Sequence, residues 1–462
     1  MDDSTPAFIP ENVTYLCEQM SQYSRNRFRL ETVSADTASA GRIITVNLPE
    51  GSTLDMKSFR MHYTALTNQN TVGTATCFAK LPQDAAQSLI QRVEVSLNGI
   101  SLQQGASEYN TIYQVKKMGA GNLGRTQTVD RSVSHAEIDT TDAVDEESLV
   151  CQDWVGFLNE LSTRFVSTEL FGGLQVRITM APNSVLVPKI AGVAMQLPLG
   201  SVDAAAAAGN MSYTVSDIFF TIDSVSLGPV YTQALQAQLA TDGYLPVNFK
   251  EYYSFNLDSI ASGASTPRFS LSSASMDRLY GLYRDSNFQT VGVRGHQLTD
   301  AVAGSPSFVS NALRFRAYNS SDTLAGTLRY NWSVNNVQIP QFRADILSAL
   351  CDVSYAQDKV GLDAEGTNVS SKRSFNNGKY VNSQMLSHPT KFGVSVKSGL
   401  DSRGISTMMT WQNTGMVIPP ASPISGATPA GTGETGILSS FVVVECTSEL
   451  RVSMGKSVAV IL

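Results

Sequence analysis

Between Arg92 and Lys117 the chain alternates, turns, alternates again and then changes period. Val93, Val95 and Leu97 alternate with Glu94, Ser96 and Asn98, which is the two-residue period of a half-buried strand. Asn98-Gly99 follows, the favoured pair for a type I′ hairpin turn, where both central residues take positive φ. The return carries Ile100 and Leu102, and Tyr109, Ile112 and Tyr113 then share one helical face at i, i+3 and i+4. The same order recurs between Arg329 and Val353. Tyr330, Trp332 and Val334 alternate with Asn331, Ser333 and Asn335, and an Asn335-Asn336 turn leads to Val337 and Ile339. Beyond Pro340, Ile346, Ala349 and Leu350 share a helical face. One constant offset carries Arg92 to Arg329, Asn98 to Asn335 and Ile112 to Ala349, and it also lays the last strand, Ser457–Leu462, on Phe220–Val225. A period of half the chain predicts duplicated domains, not a solenoid.

The rest of the chain reads as mostly strand. Residues 1–38 are polar and weakly periodic, as expected of an arm that docks on something else. The first strands are Arg42–Leu48 and Ser58–Leu66; in the second, Phe59, Met61, Tyr63 and Ala65 face inward and Arg60, His62 and Thr64 outward. Strand character resumes at Cys151–Leu161 and Leu174–Met180, where Pro182-Asn183 ends the run, and Tyr213–Leu227 closes the first half. Pro229 to Gly243 reads as a connector helix, with Pro at its start, Tyr231, Leu235 and Leu239 every four residues, and Gly just past its end. The second half is expected to hold strands at Tyr253–Leu257, Arg268–Leu271, Leu313–Tyr318 and Leu328–Val334, and one marked by Phe392, Val394 and Val396. Ile405–Trp411, Phe441–Cys446, Glu449–Met454 and Ser457–Leu462 follow. Four long loops, 119–149, 184–211, 354–387 and 413–436, interrupt the pattern. About eight strands per half is the count of a jelly roll. The expected fold is all-β: two tandem eight-stranded jelly-roll β-sandwiches, each with a short helix after a hairpin. The arm would span 1–38, the first roll 39–228, the connector helix 229–243 and the second roll 244–462.

Composition changes this picture in two places. At 462 residues the chain is longer than the ~250–300 at which single cores divide. Charged residues make up only 16%, against ~25% in ordinary soluble domains. So little charge fits a surface largely covered by neighbours, or a Ser/Thr/Asn-rich β-protein. A net charge of −7 gives no global attraction for nucleic acid or anionic membranes. Cys17, Cys77, Cys151, Cys351 and Cys446 are odd in number and have no metal-ligand spacing, so they read as reduced core residues from a cytosol-like compartment. The start MDDSTPAFIPENVTY lacks the basic and apolar regions of a signal peptide, and no run reaches ~18 apolar residues.

Candidate chemistry is sparse. Gly119-Ala-Gly121-Asn-Leu-Gly124 matches GxGxxG but follows a helix, so the strand–turn–helix mechanics of dinucleotide binding are absent. Gly455-Lys456-Ser457 has the end of a phosphate-loop motif without its first Gly, and it reads as a turn between strands. Asp130, Glu137, Asp139, Asp142, Asp145, Glu146 and Glu147 crowd one loop without calcium-loop spacing, and a solvated face is expected. His62, His135, His296 and His388 have no His or Cys at ligand spacing, and no GxSxG elbow occurs. No catalytic, cofactor-binding or metal-ligating residue is assigned, and no enzyme activity or cofactor is expected.

Two jelly-roll-like halves joined by a short helix resemble the double jelly-roll major capsid proteins, the lineage of adenovirus hexon, tailless phages, virophages and polinton-like viruses. The carrying segments are SLIQRVEVSLNGISLQQGASEYNTIYQ (Ser88–Gln114), FVSTELFGGLQVRITMAPN (Phe165–Asn183), YTVSDIFFTIDSVSL (Tyr213–Leu227) and the connector PVYTQALQAQLATDGYLPVNFKEYYSF (Pro229–Phe255). The resemblance implies a major capsid protein, made in the host cytosol, that forms trimeric pseudo-hexameric capsomers in the shell of an icosahedral DNA virion. Its partners would be its own copies, neighbouring capsomers, and minor capsid and penton proteins. The N-terminal arm would face inward toward minor proteins or an internal membrane, the four long loops would build towers and contacts, and nucleic acid would not be bound sequence-specifically. A minor capsid or receptor- or glycan-binding β-sandwich protein is the alternative reading, with a β-sandwich carbohydrate-active enzyme behind it.

Overall fold

The computed structural model describes residues 24–103, 107–120, 131–135, 137–195, 201–226, 229–260, 263–293, 295–298, 307–318, 326–356, 375, 378–387, 397–403, 408–418 and 436–461. In the first half, β1 (Ser24–Glu31), β2 (Ile43–Asn47), β3 (Thr53–Thr67), β4 (Ile90–Leu97), β5 (Ile100–Gln103), β6 (Glu146–Cys151), β7 (Phe165–Ser167), β8 (Leu174–Met180) and β9 (Tyr213–Ser226) build two antiparallel sheets. One has the order β1-β9-β3-β7, with β6 also on β3, and the other β2-β8-β4-β5. The second half holds β10 (Tyr244–Ile260), β11 (Gly263–Ser265), β12 (Arg268–Ser270), β13 (Met276–Asp285), β14 (Arg329–Val334), β15 (Val337–Ala344), β16 (Asn382–Met385), β17 (Met408–Met416), β18 (Leu438–Ser453) and β19 (Ser457–Ile461). Their orders are β10-β18-β13-β16 and β11-β17-β14-β15, with β12 also on β17 and β19 on β18. In both halves the first strand of the roll lies beside its last long strand, which lies beside the third. The second, penultimate, fourth and fifth strands make the facing sheet. The chain is therefore an all-β protein of two jelly rolls with one topology.

The repeated unit forms as its residues dictate. Asn98 and Gly99 have φ of 50° and 82°, and Asn335 and Asn336 have 49° and 68°, so both hairpins turn through paired positive φ. Helix α1 (Tyr109–Ala120) follows the first hairpin; α2 (Val202–Gly209) and α3 (Pro229–Asp242) come next, and α4 (Ile346–Ala356) follows the second hairpin. The starts of β5 and β15, and those of α1 and α4, keep the offset that relates Arg92 to Arg329. The offset does not hold to the end of the chain. The topological partner of β9 is β18, which begins at Leu438, well before the position the offset assigns to it. β19 is an extra strand hairpinned onto β18. The match of Ser457–Leu462 to Phe220–Val225 is therefore coincidental.

Several expectations need correction. Part of the supposed arm, Ser24–Glu31, is an edge strand paired with β9 along its whole length. It is exposed on nearly every residue, so it carries no apolar alternation; residues 1–23 lie outside the described residues. Strand pairing stops at Cys151: the following stretch to Leu161 buries Trp154, Phe157 and Leu158 in irregular backbone. Within 184–211, Val187–Ile190 is a strand and the alanine run is α2, capped by Ser201, whose Oγ accepts from Ala204 N. The loop 119–149 contains a helical turn, Arg131–Ser134, and the start of β6. Asn311–Leu313 is a 3-10 turn and Phe315 makes a lone bridge to Lys379, so Leu313–Tyr318 is not a strand. Phe441–Cys446 and Glu449–Met454 merge into β18, while β16 occupies the end of 354–387 and β17 runs into 413–436. The strand expected at Phe392–Val396 lies outside the described residues.

Facing sheets close each core, and the second roll is centred on stacked aromatics. Trp411 stacks between Trp332 and Tyr283, with centroids 5.4 and 4.5 Å away, and Trp332 Nε1 donates to Asn382 Oδ1 at 2.8 Å. Gly281 on β13 supports this stack, because a Cβ there would stand 2.8 Å from the Trp411 ring. Gly281→Ala is therefore expected to lower unfolding stability by about 1–3 kcal/mol through overpacking, measured as a shift in guanidinium midpoint.

Candidate functional site

The two rolls meet on one face of the β10-β18-β13 sheet. Phe157 packs edge-on against Phe249 with centroids 5.3 Å apart. Backbone bonds cross beside it, from Ser162 N to Asn248 O at 2.8 Å and from Lys250 N to Glu160 O at 3.0 Å. Tyr252 OH donates to Glu160 Oε2 at 2.7 Å, and the Ser107 and Ser254 hydroxyls are 2.7 Å apart. Arg284, only 2% exposed, reaches Glu108 Oε2 at 2.5 Å and stacks under Phe288. A cavity of about 30 Å³ beside it is lined from both rolls, by Glu108, Asn110 and Thr111 on one side and Arg284, Phe288 and Leu313 on the other.

Glu445 of β18 lies at the centre of this junction with no exposed surface. Lys116 of α1 approaches Oε2 at 3.0 Å, Arg278 of β13 approaches Oε1 at 2.7 Å, and Lys250 of β10 lies 3.5 Å away. Tyr280 OH adds a bond at 3.2 Å. Burial alone would push the Glu445 carboxyl up, but the three cations outweigh it and hold the group well below the ordinary carboxylate range. Lys250 also binds Asp277 Oδ2 at 2.7 Å, and Asp277 accepts from Ser275 and Thr447. Three carboxylates, Glu160, Asp277 and Glu445, thus stand against three cations, Lys116, Lys250 and Arg278. Such a set tolerates burial only while every member is paired.

The sequence-level candidates fall elsewhere. Asp139 and Asp145 are not a solvated face, since they neutralise Lys80, whose side chain has no exposure, at 2.9 and 2.7 Å. Asp142 pairs with Lys189. Burial raises the Asp139 carboxyl, but bonds from Thr141 and Lys80 bring it down to about 2. Glu137, Glu146 and Glu147 are exposed as expected, and Asp130 lies outside the described residues. His62 stacks on Phe219 at 4.6 Å; burial first, and then Arg60, Arg27 and Arg29, lower its pKa. His135 is 3.9 Å from Glu147, His296 contacts Asn311, and His388 lies outside the described residues. Among the described residues no three metal-binding side chains converge. Gly455 and Lys456 form the β18–β19 turn with φ of 76° and 60°, and Gly119 stands near the end of α1 while 121–124 lie outside the described residues. Cys77, Cys151 and Cys446 are buried, but Cys351 is exposed on α4 and is not a core residue.

The junction was not legible in the sequence, because its charges come from 108–116, 160, 250–284 and 445. The one available signal was a charged residue inside the apolar run Phe441–Cys446. Glu445→Gln leaves the cations uncompensated and is expected to cost about 3–5 kcal/mol. The folded carboxyl is depressed, so its contribution is complete above the unfolded carboxylate range and is lost as pH falls below it. Denaturation at pH 7 and pH 3 should show the gap between wild type and variant narrowing at pH 3.

No protein-family model matches the sequence, and no curated protein sequence matches it. Solved structures do match. PBCV-1 VP54, fitted into a reconstruction of the virophage Sputnik, superposes with a TM-score of 0.60 at 12% identity, covering 97% of this chain and 99% of that one. The quasi-atomic PBCV-1 virus capsid gives 0.58 at 13% identity, with 97% and 99% coverage. The Faustovirus major capsid protein gives 0.55 at 9% identity, with 96% and 93% coverage. Across nearly its full length this chain has the double jelly-roll fold of those viral capsid proteins.

Proposed function

We propose that this chain is the major capsid protein of an icosahedral DNA virus, assembling as a homotrimer with a pseudo-hexagonal outline. The observation that carries this reading is the pair of topologically equal rolls held side by side by a buried ion cluster, in a chain that follows solved capsid proteins from end to end. Two rolls per chain and three chains give six similar flanks around a threefold axis, which is a closed symmetric assembly that tiles a hexagonal lattice. The low charge content suits flanks covered by neighbours. In this reading the first roll ends at residue 228, residues 229–243 connect, and the second roll runs from 244 to 462. The segment before Ser24 faces the particle interior, toward minor capsid proteins or a membrane, and the loops within 119–149, 184–211, 354–387 and 413–436 contact neighbours and penton proteins. The protein is made in the host cytosol and acts in the virion shell as a building unit without catalytic activity. It does not read nucleic-acid sequence.

Native mass spectrometry of the purified chain is expected to give a species of three chains, and negative-stain images should show particles of hexagonal outline. A monomer that persists at high protein concentration contradicts the proposal.

A further inference from the structure

Asn98 opens the first hairpin turn and also fastens it. Its backbone N–H donates to Gly173 O at 3.0 Å, and its Oδ1 accepts from Gly173 N at 3.0 Å. Asn335 does the same in the second roll, with bonds of 3.0 and 3.1 Å to Met408. Each turn asparagine thus adds a side-chain rung to the ladder beside it. In the first roll the amide reaches further, donating from Nδ2 to Phe171 O at 2.9 Å and to Lys456 O at 3.2 Å. Lys456 belongs to the β18–β19 turn, so this one side chain ties the hairpin tip of the first roll to the second roll. The helical turn Thr168–Phe171 lies against Met454–Lys456 at the same place. The seat is shaped for the amide, since a Cβ on Gly172 would overlap it.

The residue after each asparagine differs: Gly99 follows Asn98, and Asn336 follows Asn335. Asn98 and Gly99 are both exposed, and beyond its chain neighbours nothing lies within 4 Å of where a Gly99 Cβ would stand. With no side chain to hinder it, the Gly99 backbone nitrogen is able to close on Asn98 Cγ. The new N–Cγ bond forms as the Cγ–Nδ2 bond breaks, and ammonia leaves with the proton of the attacking amide. The product is a five-membered imide, which water opens at either carbonyl to aspartate or isoaspartate.

We propose that Asn98 is a deamidation site held in check by this clasp, and that its conversion unfastens the hairpin tip from the second roll. Turning Cγ onto the Gly99 nitrogen costs the bonds to Gly173, Phe171 and Lys456, so the folded chain reacts slowly. Once converted, the side chain is a carboxylate with no N–H to donate, facing the carbonyl oxygens of Phe171 and Lys456. The clasp does not re-form. This site is independent of the proposed assembly.

Two measurements on the full chain test it. Folded and denatured samples are aged at mildly alkaline pH, and peptide masses are followed until the denatured chain is fully converted at Asn98. Partial conversion in the folded chain, with isoaspartate among the products, is expected. Either no conversion there or conversion as complete as in the denatured chain overturns the proposal. The second Asn-Gly pair, Asn377-Gly378, has its asparagine outside the described residues and is read on a separate peptide. The variant Asn98→Asp supplies the product directly, and it should speed hydrogen exchange in the β18–β19 turn about tenfold, as loss of a hydrogen bond would. Exchange there that matches wild type shows that the tip holds without its amide, and the unfastening is then wrong.

Discussion

Burying Glu445 constrains the whole molecule. A carboxylate with no exposed surface needs cations fixed around it, and here Lys116 comes from the first roll while Arg278 and Lys250 come from the second. Loss of either contribution leaves unpaired charge in a site closed to water, where it is most costly. The relative placement of the rolls is therefore set by charge neutralisation and by the Phe157–Phe249 contact. The covalent connector plays little part, since the described side chains of α3 are mostly exposed and Leu239 alone among them is fully buried.

The two rolls keep one topology but have diverged where they face different surroundings. The hairpin–helix unit stays in register from one roll to the other, because both copies need the same turn and the same apolar helix face. The outer strands drift: β18 starts earlier than the register of the hairpins would place it, and it gains β19 as an added edge partner. Environment explains the difference in their side chains. β18 has protein on both faces and reads Phe-Val-Val-Val at its centre, whereas β9 has one open face and alternates.

That difference also decides which elements the sequence revealed. Half-buried strands such as β4 and β8 announced themselves by period-two alternation, and Leu174–Met180 is bounded as read. The hairpins followed from Asn98-Gly99 and Asn335-Asn336. β13 went unread because it is buried on both faces apart from Arg278, so neither alternation nor a purely apolar run marks it. β1 escaped for the opposite reason, being an edge strand held by backbone pairing and by Arg25 and Arg27 on Asp223. The acidic loop looked solvated because Lys80 and Lys189, which bind it, lie well outside it in sequence.

The order of residues by itself fixed what depends on near neighbours: the all-β class, the duplicated hairpin–helix unit and the lack of any catalytic or metal-binding spacing. Tertiary structure alone decided which faces are covered, which charges meet, and that the two sandwiches are locked flank to flank through Glu445. The reason lies in range. Alternation and turn chemistry act over a few residues, whereas the neutralisation of a buried carboxylate joins groups 329 positions apart, and no local pattern records such a meeting.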